Sequence, residues 1–62
     1  MNRIKEILKE QGRNQLWLAA RLGEGYSRVT GYCNNKKALT PPMLDRIAAA
    51  LEVDVTELYR HN

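Results

Sequence analysis

Apolar residues recur along this chain at the spacing of helices and nowhere with the period of two that marks a strand. Ile4, Ile7 and Leu8 follow an i, i+3, i+4 pattern, with Arg3, Lys5, Glu6, Lys9 and Glu10 on the other side. Gly12 supplies a left-handed stop after them. Asn14 has the side chain of an N-cap, and Leu18, Ala19 and Leu22 mark the inward face of a second helix ending at Gly23. A third segment is expected from near Gly25 to about Cys33, with Val29 and Tyr32 inward, before the polar break Asn34-Asn35-Lys36-Lys37. Thr40 and Pro41 open a fourth helix as cap and first helical residue, because the N–H that proline lacks has no partner there anyway. Pro42 fits the same turn, and Leu44, Ile47, Ala48 and Leu51 form the stripe. Asp54 and Glu57 have capping-box spacing, and Val53 and Leu58 that of a hydrophobic staple, so a short fifth helix should follow. The pattern predicts an all-α fold of five helices.

Length and composition narrow the function. The 62 residues allow a single domain, 1–62, with no apolar run long enough to span a bilayer. The charged, amphipathic start lacks the apolar core of a signal peptide. The single cysteine cannot form an internal disulfide, and no Cys/His cluster offers a zinc site, so packing alone must hold the fold, in a reducing cytoplasmic setting. No nucleophile–base pair, metal cluster or phosphate-binding glycine loop is present, so neither an enzyme, a cofactor nor a small-molecule ligand is expected. The net charge is +3 but uneven: residues 1–37 carry eight Lys/Arg against three acids, and residues 38–62 two against four. A basic first half suggests one face meant for a polyanion.

The second and third segments read as one unit, about 15–33. Leu18, Leu22, Val29 and Tyr32 supply an apolar wall between two crossing helices. Ala19 must be small where the later helix passes over it, and Gly23 must turn the chain sharply. This is a helix-turn-helix. With Asn14-Gln15, Leu18-Ala19-Ala20-Arg21-Leu22-Gly23, Val29 with Tyr32, Asn34-Asn35-Lys36 and the tail Ile47 to Leu58, the chain closely resembles the lambda-repressor-like (Xre/Cro) family of DNA-binding domains from Arg3 to Tyr59. It departs from several phage repressors of that family at Leu8 and Cys33, which stand where those proteins pair an arginine with a glutamate. An apolar pair is physically acceptable there.

Placing Val29 and Tyr32 inward sends Ser27, Thr30, Gly31 and Asn34 to the far face, with Tyr26 leading. The alternative for Ser27 and Thr30 is plain solvated surface, and for Tyr26 packing at a helix start. A recognition helix presents such a face to base edges in the major groove, where Thr30 can also set its methyl against thymine. Arg28 sits at the edge of this face, within reach of guanine or phosphate. Gly31 either allows a close backbone approach to DNA or marks a weakened helix. The resemblance implies that Gln15 hydrogen-bonds a backbone phosphate, an anion that a helix N-terminus also attracts. Asn34, Asn35, Lys36 and Lys37 would grip phosphates beyond the helix, although Asn35 also suits a left-handed helix stop. Trp17 is expected to pack against the first or last helix, Cys33 to be a small core residue, and His61 to have no partner.

These residues point to a transcriptional regulator, a repressor acting on double-stranded DNA as a homodimer. The resemblance places the dimer contacts at Leu39 to Pro42 and at Tyr59. The other reading is a protein-interaction module on the same scaffold, such as an antitoxin, supported by exposed Leu16 and by acidic Glu52, Asp54 and Glu57.

Overall fold

The computed structural model describes residues 2–59. Helices α1 (Ile4–Glu10), α2 (Gln15–Leu22), α3 (Tyr26–Cys33) and α4 (Pro41–Leu51) follow one another, and a 3-10 turn (Val55–Leu58) closes the order. No strand occurs among the described residues, and no helix there is long and apolar enough to cross a membrane. The expected fifth helix is thus one tight turn, and the capping box does not form. The Asp54 carboxylate accepts the Thr56 amide at 3.0 Å and the Thr56 hydroxyl at 2.9 Å, two residues on, while the Glu57 amide donates to the Asp54 carbonyl. The two Thr56 bonds lower the Asp54 pKa, the amide most of all.

Every element contributes to one core. Ile4, Leu18, Val29, Ile47, Leu51 and Leu58 are completely or almost completely buried, Ala19 is buried with them, and α2 packs against α3. Leu8 and Cys33 are buried as apolar residues, and burial pushes the Cys33 thiol up to about 11 despite the opposing field of Lys5. The Arg3 amide donates to the Leu58 carbonyl at 3.0 Å, fastening the closing turn to the start of α1. Thr40 has the extended backbone of a cap, but its side chain makes no capping bond.

All four helices end in the same way. A left-handed residue donates its amide three residues back, and the next amide reaches five residues back. Gly12 and Arg13 do this after α1, Gly23 and Glu24 after α2, Asn35 and Lys36 after α3, and Glu52 and Val53 after α4. The stops expected at Gly12, Gly23 and Asn35 are present. Glu52, at φ 59°, holds the same conformation with a side chain poorly suited to it.

Candidate nucleic-acid interface

Helix α3 supplies the outward face. Gly25, extended at φ −66° and ψ 147°, precedes its first residue, and Val29, Tyr32 and Cys33 turn inward. Tyr26, Ser27 and Arg28 are exposed at its leading end. Thr30 is half-buried, and its Oγ1 is enclosed without a hydrogen-bond partner. Gly31 is half-buried too, and the helix continues through it. A Cβ there would meet the Lys37 Cβ at 3.3 Å, while its carbonyl accepts the amides of Lys36 at 2.9 Å and Lys37 at 3.2 Å. Gly31 thus permits a close approach of the chain's own loop.

The far end of α3 is tied to the N-terminal segment. The Asn2 side-chain amide donates to the Tyr32 carbonyl at 2.9 Å and to Asn35 Oδ1 at 3.2 Å. Lys5 Nζ donates to Asn34 Oδ1 at 2.9 Å. Asn34, Asn35, Lys36 and Lys37 are all exposed just beyond.

Gln15 is the first residue of α2, and the preceding Asn14 caps that helix by accepting the Trp17 amide at 2.8 Å. Gln15 lines an open groove of about 680 Å³ with Leu16, Tyr26, Lys5, Lys9 and Arg13. The groove brings together the start of α2, the start of α3 and three cations whose part in such a face the sequence did not reveal. The four-residue spacing of Lys5 and Lys9 places those two on one face of α1, whereas Arg13 joins them only because the chain reverses at Gly12. Arg3, by contrast, is held by Glu6 at 2.5 Å and Glu10 at 3.3 Å. Among the described residues, Lys5, Lys9, Arg13, Lys36 and Lys37 make no ion pair with a carboxylate. Positive charge thus flanks α3 at both ends.

Other residues fall away from this face. Trp17 packs against the core, with the Arg13 guanidinium 4.1 Å and that of Arg21 5.6 Å from its ring centre, so cations cover the ring. Leu39 is half-buried against the core, while Pro41, Pro42 and Tyr59 are exposed. His61 lies outside the described residues. Among the described residues no cluster of His, Cys, Asp and Glu is arranged to hold a metal.

A family described as helix-turn-helix (HTH_3) matches residues 4–58. The crystal structure of a candidate DNA-binding protein from Bacteroides fragilis superposes with a TM-score of 0.87 at 36% sequence identity, covering 94% of each chain. No curated protein matches the sequence. With the match spanning all four helices and the closing turn, the chain belongs to the Xre/lambda-repressor-like helix-turn-helix family.

Proposed function

We propose that this protein is a DNA-binding transcriptional regulator that lays α3 in the major groove, acting as a repressor where its site overlaps a promoter. The observation that carries this reading is the placement of charge. The exposed face of Tyr26, Ser27 and Arg28 is bordered by cations without a carboxylate partner: Lys9 and Arg13 share the groove with Tyr26, Lys36 and Lys37 follow the far end, and Lys5 lines the groove while its ammonium reaches Asn34. Phosphate contacts flanking a base-reading helix require that arrangement. Gln15, at the amide-rich start of α2, suits a phosphate. Thr30, with its oxygen enclosed, offers its methyl group to a thymine rather than a hydrogen bond. One module of this size contacts few base pairs, and a homodimer on paired half-sites would add affinity and a fixed spacing.

Selection of bound sequences from random duplexes tests the assignment, followed by titration of the winner against salt. Replacing Lys36 and Lys37 together with alanine should weaken all duplexes alike and flatten the slope of log affinity against log salt by up to about two units. No salt-dependent binding to any duplex defeats the assignment. The same result would favour a protein-interaction module, for which Leu16, 62% exposed in the groove, is the supporting observation.

A further inference from the structure

Glu24 stands in the turn between α2 and α3 with its side chain only 23% exposed, and arginines engage both of its oxygens. Oε1 pairs with Arg28 Nε at 3.5 Å, and Oε2 accepts from Arg46 Nη1 at 3.2 Å. Arg46 reaches over from α4, and its Nη2 also donates to the Leu22 carbonyl. The carboxylate is therefore pinned from behind by another helix and forms an ion pair with Arg28 on the Nε side of its fork. Guanidinium donors are fixed in one plane, so an arginine tethered at Nε still presents its two terminal nitrogens as a pair. The Arg28 side chain is 54% exposed, on the leading end of the outward face.

Charge decides what that pair should meet. A phosphate against Arg28 would also lie close to the Glu24 carboxylate, and two anions at such a distance repel. The O6 and N7 atoms of guanine are neutral acceptors whose spacing fits two parallel arginine donors. We propose that Glu24 is a positioning residue, tethering Arg28 so that it reads a guanine in the major groove instead of neutralising a phosphate. The inference rests on the DNA-reading assignment above.

The test measures the unsubstituted protein, Arg28→Ala, Glu24→Gln and Arg46→Met on the selected duplex, on every single-base change of it and on random duplex, across a range of salt. Arg28→Ala should lower the preference for guanine at one base pair by about fivefold or more. Glu24→Gln should lose most of the preference at that same base pair. It should also bind random duplex more tightly, with a salt slope steeper by up to about one unit, because Arg28 is freed for phosphates. Such opposite movements of preference and random affinity are not produced by a loss of fold, which lowers both. Arg46→Met, leaving Glu24 in place but unpinned, should lose part of the preference, and it carries the test if Glu24→Gln does not fold. Retention of the guanine preference in Glu24→Gln, or its loss at a different base pair, overturns the inference and leaves DNA reading intact. Failure of the unsubstituted protein to prefer any duplex overturns the DNA reading itself.

Discussion

Helix α3 buries three of its eight residues, whereas α4 buries six of its eleven. Helix α4 is built from Leu, Ile, Met and three consecutive alanines, opens on two prolines, and sets its apolar stripe into the core. Its own sequence and its own burial agree. Neither helix has a side-chain cap, but α3 carries Ser, Thr and Gly, which are poorer helix formers. Its support comes from elsewhere: Asn2 on the Tyr32 carbonyl, the amides of Lys36 and Lys37 on the Gly31 carbonyl, and α2 beneath it. A helix whose outer face must stay available for a partner cannot spend that face on stability. The stabilising contacts move to its ends and underside, and that is where substitutions should separate the two helices.

The largest effect is expected under α3. Ala19→Leu should destabilise the domain by roughly 1–3 kcal/mol through overpacking. Ala49→Leu, on the exposed side of α4 beside a shallow groove with Arg21 and Arg46, should stay within about 0.5 kcal/mol. Chemical denaturation measures both, and equal losses would show that α3 does not cross tightly over position 19. Next comes the far end of α3. Asn2→Ala should cost about 1 kcal/mol, since it removes the bond to the Tyr32 carbonyl and the acceptor for the Ile4 amide. Amide exchange should quicken around residues 32–36 more than in α4, and uniform quickening would erase the contrast between the helices. The smallest effect has the opposite sign and belongs to α4. Glu52→Gly should stabilise by up to about 1 kcal/mol by relieving a left-handed side chain, and Asn35→Gly should do less because asparagine tolerates that conformation. Thermal unfolding of the two variants checks the order.

Local signals explain what the sequence disclosed. The four helices, the Asn14 cap and the stops at Gly12, Gly23 and Asn35 each depend on residues within one turn of one another. So does the inward placement of Val29 and Tyr32, from which the outward face of α3 follows. Hidden features are those made across the chain or against local preference. Glu52 is hidden because its side chain disfavours the left-handed conformation that its stop requires, although the closing bonds of the Glu52 and Val53 amides match those of the other helices. The approach of Lys37 to Gly31 needs the loop to fold back first. Arg46 and Glu24 lie 22 residues apart, so their pairing depends on how α4 lies beside the turn. Asp54 illustrates a further limit: capping-box spacing was present, but the nearer Thr56 donors captured the carboxylate.

The shared manner of ending the helices has a kinetic consequence. Each reversal is closed by amides reaching only three and five residues back, so chain direction changes through contacts between near neighbours in sequence. Closing such short loops carries little entropic delay. Helical domains dominated by local contacts complete folding in microseconds to milliseconds. Once residues 4–58 are all free to fold, Ile4, Leu18, Ile47 and the rest of the core stay exposed only briefly at each opening, which leaves proteases and aggregation little time to act.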